Sequence, residues 1–320
     1  MSSIYEYDEA GGIDTLTNEA AGLRIRVKRL GAELVSIARR GPDGQWTGFL
    51  WRDGDTSQPA EGWGNHATVM GFFTHRIKGE RSLYRGQEIR GGTHSFLRHK
   101  EFAAPSVDSA GGSLMYGIGP GQIAPEEYPL KVEMILTYTA ALAGDQPELL
   151  VTFEFENHEP ELSAHLSFGL HPGFAVQSLA EARVILPKGV YTRFLAPGNF
   201  LSGETVKIEH PGGPFAIDQS KLPDSLLLAV TDVEEGFCAV EDAAGHRRVE
   251  LDYHEAPYLT IWSDGHAFLC VEPCWGLPDR QEQQPFEQKD GIIEIPAGEK
   301  LTRTIAIRPQ LGAEWSEAHG

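Results

Sequence analysis

The 320-residue sequence is poor in cysteine and has no long apolar run, and both shortages narrow the class of protein. Its three cysteines, Cys238, Cys270 and Cys274, are too few and odd in number to form a disulfide framework. The chain opens on the polar, acidic stretch MSSIYEYDEAGG, and no segment approaches the ~18 apolar residues that a membrane helix needs. We therefore expect a reduced, cytoplasmic protein that does not associate with a membrane.

Positive charge is also scarce. The chain has 27 Lys and Arg against 46 Asp and Glu, which gives a formal net charge of −19. Such a surface repels the phosphate backbone of nucleic acids and anionic lipid headgroups. The charge balance therefore argues against nucleic acid as a partner, and it leaves the oligomeric state open.

Helical patterns are almost absent, and so are regular βα alternation and repeats of 20–50 residues. A parallel Rossmann or TIM sheet and a propeller are therefore disfavoured. The dominant period is two, which is typical of strands with one buried face. The segments that read as strands are 23–28, 130–138, 151–156, 162–170, 183–186, 237–241, 248–253, 258–262, 268–272, 291–295 and 301–307.

These strands, with turn signals and no obvious linker between them, predict an all-β sandwich of large antiparallel sheets. We expect a single domain over residues 1–320 and a strand content above one third. Residues 313–320 form a polar tail that is expected to be loosely ordered.

Cofactor and metal motifs can be set aside. The glycine-rich stretch 117–121 contains Pro120, which blocks the helix that a dinucleotide loop requires. His266, Cys270 and Cys274 are spaced by four, which on a strand places neighbouring members ~13 Å apart. The sequence therefore predicts neither a metal nor an organic cofactor.

Three short segments combine groups suited to catalysis with glycine and proline. Residues 91–98 carry His94 and Arg98, residues 163–174 carry His171, and residues 268–279 carry Glu272 at the end of an apolar strand. In the second segment, alternate positions separate an apolar face from a face of small and polar residues that includes His171. His171 and Glu272 each precede a proline, which predicts that both lie at the ends of strands.

At these segments the chain resembles the aldose 1-epimerase (galactose mutarotase-like) family. The resemblance runs in order over most of the chain, and its two most specific motifs are those around His171 and Glu272. Its motifs in this sequence are FLWRDGD (49–55), MGFFTHRI (70–77), THSFLRHKEF (93–102), LHPGF (170–174) and VEPCWGLPD (271–279).

The resemblance implies a β-supersandwich fold with a sugar cleft. It implies Glu272 as the catalytic base, His171 as the acid, and His94 and Arg76 as residues that bind the sugar. The motifs depart from the family at two positions, with Ser95 where the less characterised bacterial branch often has glycine and Gly173 where it has tyrosine.

Three further residues complete the predicted binding site. Arg98 lies in the His94 segment, and Asp224 is the candidate for the family's substrate-binding aspartate. Trp275 is chosen from the tryptophans as the aromatic face for the sugar ring, because it adjoins Glu272.

The activity implied is the interconversion of α and β anomers of an aldohexose. A proton leaves the anomeric hydroxyl and another reaches the ring oxygen, so the ring opens and can close on the other face. A carboxylate and an imidazole on opposite sides of the sugar would serve as that pair. Two alternatives stay open, a hexose-phosphate epimerase and a non-catalytic carbohydrate-binding or regulatory module. A glycosidase is disfavoured because it needs two carboxylates.

Overall fold

The computed structural model describes residues 3–108, 110–233, 236–242, 247–253 and 255–312. Strands account for 52% of the described residues and short helical turns for 7%, which confirms the prediction of an all-β fold. None of the helices among the described residues has the length and apolar character needed to cross a bilayer. The predicted loose tail, residues 313–320, lies outside the described residues.

The described residues form strands throughout the chain, with short 3₁₀ turns between some of them. The strands are β1 (Ile4–Asp8), β2 (Ile13–Asn18), β3 (Leu23–Lys28), β4 (Glu33–Arg40), β5 (Trp46–Gly48), β6 (Ala67–Phe72), β7 (Arg81–Tyr84), β8 (Gln87–Arg90), β9 (Ser106–Asp108), β10 (Ser113–Ile118), β11 (Val132–Ala143), β12 (Gln146–Asn157), β13 (Ala164–Ala175), β14 (Arg183–Leu186), β15 (Gly189–Phe194), β16 (Thr205–His210), β17 (Gly213–Phe215), β18 (Leu226–Val233), β19 (Phe237–Glu241), β20 (Arg247–Asp252), β21 (Tyr258–Trp262), β22 (Phe268–Trp275), β23 (Ile293–Ile295) and β24 (Lys300–Leu311). The 3₁₀ turns are Lys78–Glu80, Leu97–His99, Pro120–Gln122, Pro197–Asn199, Gln219–Asp224 and Phe286–Gln288.

The described strands form two large antiparallel sheets and two smaller ones. The nine-stranded packing sheet has the order β17-β14-β19-β20-β24-β12-β11-β10-β9. The eight-stranded site sheet has the order β16-β15-β18-β21-β22-β13-β23, and β6 pairs with β13 beside β23. Strands β1 to β5 form a five-stranded sheet, and β7 pairs with β8.

The alternating apolar residues of the long strands fill the space between the two large sheets. Phe153 and Phe155 on β12 lie with ring centroids 5.2 and 4.8 Å from Phe168 on β13. Leu166 and Leu170, on the same face of β13 as Phe168, are also fully buried. The opposite face of β13, which carries His171, is therefore free to line a site.

Two strands run further than the sequence analysis expected. His171 and Glu272 do not end their strands, because β13 continues to Ala175 and β22 to Trp275. Pro172 and Pro273, which follow them, each lack a backbone N–H. The missing donors affect only the side on which β13 and β22 face each other. On their other sides the ladders continue, with Pro172 opposite Ala67 on β6 and Pro273 opposite Leu259 on β21.

Candidate active site

A cavity of about 500 Å³ opens on the face of the site sheet that lies away from the core. Loops that follow β5, β6 and β8 close it, together with the turn at the start of β18. Six of the predicted site residues line it, namely Arg76, His94, Arg98, His171, Asp224 and Glu272. The fold therefore brings these six predicted residues together from five separate segments of the chain.

The centre of the site is the pair formed by His171 and Glu272. Strands β13 and β22 pair from Phe168↔Trp275 to Gly169↔Cys274 and resume at Gly173↔Cys270, without a change of register. That register puts His171 directly opposite Glu272. The Nε2 atom of His171 lies 3.3 Å from Oε1 of Glu272.

Burial dominates the electrostatics of this pair. Glu272 is 1% exposed and His171 is 6% exposed. Burial raises the pKa of the Glu272 carboxyl well above its usual range and lowers the pKa of His171 to about 3. Both shifts favour the state in which Glu272 holds the shared proton and the imidazole of His171 is neutral.

Each member of the pair also has a buried polar atom with no protein partner. Within the described part of the chain, nothing hydrogen-bonds to Nδ1 of His171 or to Oε2 of Glu272. Leaving such atoms unpaired costs free energy unless a ligand or water completes them. The pair is therefore arranged to receive a polar ligand from the cavity.

His94 is held by a reciprocal backbone contact with His75. The backbone N–H of His75 donates to Nδ1 of His94 at 3.2 Å, and the backbone N–H of His94 donates to the carbonyl of His75 at 2.7 Å. Because Nδ1 accepts, the neutral ring carries its proton on Nε2. Burial lowers the pKa of His94 well below its usual value, so His94 presents a neutral N–H donor on the cavity wall.

Backbone strain is concentrated around the cavity. Among the described residues, nine that are not glycine have a positive φ, and four of them line the cavity: His75, His94, Asn199 and Ser225. Positive φ is uncommon in residues other than glycine, although His and Asn adopt it more often than most, and it persists where the surrounding structure holds it. The walls of the cavity are therefore fixed in place at some cost in stability.

A buried ion pair, which the sequence analysis missed, holds the segment that carries Arg76. The side chain of Lys289 pairs with Asp279, and both residues are less than 5% exposed. Asp279 also accepts from the backbone N–H of Lys78 at 2.9 Å, and its own N–H donates to the carbonyl of Arg76 at 3.1 Å. The motif around Glu272 ends at Asp279, so its last residue positions a neighbouring loop.

Trp275 does not reach the cavity. It is 2% exposed, its ring stacks on Phe168 at 4.8 Å in the core, and its Nε1–H donates to the carbonyl of Glu255. Trp63 and Trp262 line the cavity instead. Trp63 stacks on the His171 ring with centroids 4.8 Å apart.

Two hydrogen bonds hold the backbone of the loop at Trp63. Its backbone N–H donates to Asp264 at 2.6 Å, and its carbonyl accepts from Nε1 of Trp51 at 3.0 Å. A Cβ atom at Gly173 would lie only 2.6 Å from Cζ3 of Trp63. The departure from the family at position 173 thus has a physical reason, because the ring of Trp63 fills the space that a side chain there would need.

The side chains of metal-ligating type that lie close together here are not the set His266, Cys270 and Cys274 that was considered from the sequence. His266 pairs with Asp264 at 2.9 Å, and the thiol of Cys274 donates to the carbonyl of Glu272 at 3.4 Å. Cys270 lies instead beside His171 and Glu272, and one ligand atom of each of the three residues lies within 4.8 Å of the others.

The fold agrees with the comparisons to known proteins. The family model for aldose 1-epimerase matches residues 14–308, so the chain belongs to the aldose 1-epimerase family. No curated protein sequence matches it. Family membership supports the general functional class, an isomerase that acts on sugars. The similarity to solved structures supports the fold.

Three solved structures show the same architecture. A galactose mutarotase related enzyme from Lactobacillus acidophilus is 20% identical with a TM-score of 0.80, and the match covers 93% of this chain and 97% of that one. A galactose mutarotase-like protein from Lactobacillus casei is 22% identical with a TM-score of 0.79, over 93% and 100% of the two chains. The galactose 1-epimerase of Lactobacillus acidophilus is 13% identical with a TM-score of 0.70, over 98% and 99%.

Proposed function

We propose that this protein is an aldose 1-epimerase that interconverts the α and β anomers of an aldohexose. The observation that carries the proposal is the buried contact of 3.3 Å between His171 and Glu272 on the cavity floor. Membership of the aldose 1-epimerase family supports it.

The geometry of the pair suits the two proton transfers. The anomeric hydroxyl and the ring oxygen are bonded to the same carbon, so the acid and the base must reach neighbouring atoms. The sequence analysis expected the two groups on opposite sides of the sugar, whereas His171 and Glu272 lie side by side on adjacent strands. Adjacent groups reach both oxygens from one edge of the ring.

The proposed cycle keeps the number of protons on the pair constant. Glu272 takes the proton of the anomeric hydroxyl while His171 gives one to the ring oxygen, and closure of the ring reverses both transfers. The proton therefore ends on Glu272 in the open-chain form, which is where burial places it in the empty cavity. A cyclic sugar that donates its anomeric hydroxyl to Glu272 stabilises the carboxylate and returns the proton to His171.

The other lining residues supply complementary contacts for a sugar. Arg76, Arg98 and the Nε2–H of His94 are donors for hydroxyl oxygens, and Asp224 is an acceptor for hydroxyl protons. Trp63 and Trp262 offer aromatic faces for the apolar side of the ring. We infer that Trp63 takes the part for which the sequence analysis chose Trp275.

The test removes each proton carrier while keeping its shape. We expect Glu272→Gln and His171→Asn each to lower the rate of anomer equilibration about 10²–10⁴-fold, as general acid–base groups typically contribute. Sugar binding should weaken much less than turnover. The measurement is polarimetry or proton NMR on a panel of aldohexoses, above the spontaneous rate.

Two results would count against the proposal. If Glu272→Gln keeps most of the wild-type activity, the mechanism is wrong. If the wild type binds sugars but accelerates none in the panel, the non-catalytic binding module is the better account.

One observation favours the hexose-phosphate alternative. A smaller cavity of about 200 Å³ adjoins the main one and shares Arg98, Gln58, Gly64 and Asn65 with it. Lys28 and the partly buried Glu33 also line it. Burial raises the pKa of the Glu33 carboxyl, and the positive charges of Lys28 and Arg98 act on it in the opposite direction. Because Lys28 and Arg98 both line the side cavity, two cations lie close to any phosphate group bound there.

Hexose phosphates in the same panel decide between the two substrates. A phosphate in the side cavity would lower KM for the phosphorylated sugar, and Lys28→Ala would remove that advantage without affecting the free hexose. Equal KM values for both sugars would exclude the alternative.

A further inference from the structure

Three side chains of the types that bind zinc lie close together, and two of them line the cavity. His171, Cys270 and Glu272 are 6%, 0% and 1% exposed, and one ligand atom of each lies within 4.8 Å of the others. Cys270 is two residues before Glu272 on β22, so both side chains project from the same face of that strand. His171 comes from the neighbouring strand, which explains why spacing in the sequence did not reveal the cluster.

One distance in the cluster matches that between two ligands of a tetrahedral ion. Zinc takes nitrogen, sulfur and oxygen ligands, and bonds of about 2.0 Å at the tetrahedral angle put two ligand atoms about 3.3 Å apart. The Nε2 atom of His171 and Oε1 of Glu272 are 3.3 Å apart. Both residues line the cavity, so a fourth position would face it and could hold water.

The cluster also has unused ligand capacity. Nδ1 of His171 and Oε2 of Glu272 are buried and have no hydrogen-bond partner within the described part of the chain.

We propose that His171, Cys270 and Glu272 bind a thiophilic divalent cation, with zinc as the probe, and that the bound ion blocks the catalytic pair. As the ion binds, the thiol proton of Cys270 and the carboxyl proton of Glu272 both leave to solvent, so that a thiolate, a carboxylate and a neutral imidazole ligate it. The ion then occupies lone pairs that proton transfer needs. The site is inhibitory and is distinct from a cofactor site, since the proposed reaction proceeds without a metal.

The first measurement does not depend on enzymatic activity. Zinc ions are titrated calorimetrically into chelator-treated protein, and cadmium ions are added separately to detect the ultraviolet charge-transfer band of a metal–thiolate bond. We expect one ion per chain and a thiolate band. Absence of the band in the wild-type protein overturns the proposal, whether or not the protein is an epimerase.

Matched cysteine variants locate the sulfur ligand. Cys270→Ala should weaken zinc binding at least about tenfold, as the loss of metal-site interactions typically does. Cys274→Ala is the control, because Cys274 is on the same face of β22 and is also fully buried. Equal affinities in the two variants contradict the proposal, and Cys270→Ser repeats the comparison if the alanine variant does not fold.

The activity measurement tests the inhibitory role. Zinc should slow anomer equilibration by the wild type, EDTA should restore the rate, and saturating sugar should protect against the ion. The inhibition is expressed against each variant's own zinc-free rate, and Cys270→Ala should be at least about tenfold less sensitive. Binding of zinc without loss of activity would refute the blocking step.

Discussion

At the scale of single residues, the site depends on an aromatic ring from a distant loop. Trp63 stacks on His171, and its own backbone is held by Asp264 and Trp51. No motif indicated Trp63, because its position follows from contacts made across the fold.

Replacing Trp63 should weaken sugar binding. Trp63→Leu keeps apolar bulk but removes the aromatic face, and aromatic pairs contribute about 1 kcal/mol beyond the area that they bury. We expect KM for the sugar to rise several-fold. Trp46→Leu is the control, since Trp46 lies on β5 and contacts Arg24 at 4.6 Å. Equal KM values for the two variants would remove Trp63 from the binding site.

The failure of Trp275 as a sugar-binding candidate has a simple geometric reason. Side chains alternate between the two faces of a strand, and Trp275 is three residues from Glu272. An odd separation puts the two side chains on opposite faces, so Trp275 points into the core. Neighbours in sequence are poor guides to neighbours in a site that is built on strands.

At the scale of elements, the buried pair of Lys289 and Asp279 joins the β6–β7 loop to the segment after β22. Lys289→Met should lower the free energy of unfolding by about 3–5 kcal/mol, because it leaves a buried carboxylate without its cation. It should also raise KM for the sugar, since Asp279 contacts the backbone at Arg76 and Lys78.

A double variant separates charge from packing. Asp279→Asn combined with Lys289→Met removes both charges and should recover part of the stability, as followed by the midpoint of urea unfolding. A double variant less stable than Lys289→Met would show that the pair does not stabilise through its charges.

Strands could be predicted from the sequence far better than their arrangement. The alternation at residues 23–28 and 258–262 gave the bounds of β3 and β21 as the structure has them. The register between β13 and β22 brings residues about a hundred positions apart into contact, and a single sequence carries no signal of such pairings. The prediction that His171 and Glu272 end their strands was wrong. A proline lacks a backbone donor on one side of its strand only, so the hydrogen bonds on the other side remain.

At the scale of the whole molecule, buried histidines should make the protein sensitive to acid. Burial lowers the pKa of His66, and it lowers that of His75 to about 3. His75 stays neutral in the folded state while the unfolded chain takes up a proton below about pH 6.5, so its contribution to stability is full above that pH and falls below it. At pH 5 His75 lowers the free energy of unfolding by about 2 kcal/mol, and His66 acts in the same direction.

A histidine variant tests how the free energy of unfolding depends on pH. His75→Asn tolerates the positive φ of 58° at this position and should reduce the loss of unfolding free energy between pH 7 and pH 5 by about 2 kcal/mol. His99→Gln, at an exposed position, should leave the slope as it is. Identical pH profiles for the wild type and His75→Asn would show that His75 is not held neutral.

The single domain expected over residues 1–320 stays a prediction, and unfolding can test it. Buried residues from Leu16 to Ile307 belong to one hydrophobic cluster, which favours one cooperative transition. We expect the calorimetric and van't Hoff enthalpies of thermal unfolding to agree. Two separate transitions would indicate two independently folding units.

The fit between Gly173 and the ring of Trp63 also constrains how this sequence can change over evolutionary time. An aromatic residue cannot appear at position 173 while Trp63 occupies that space, and loss of Trp63 alone leaves a void beside His171. Neither change alone preserves the packing beside His171, so a replacement at one position requires a compensating replacement at the other.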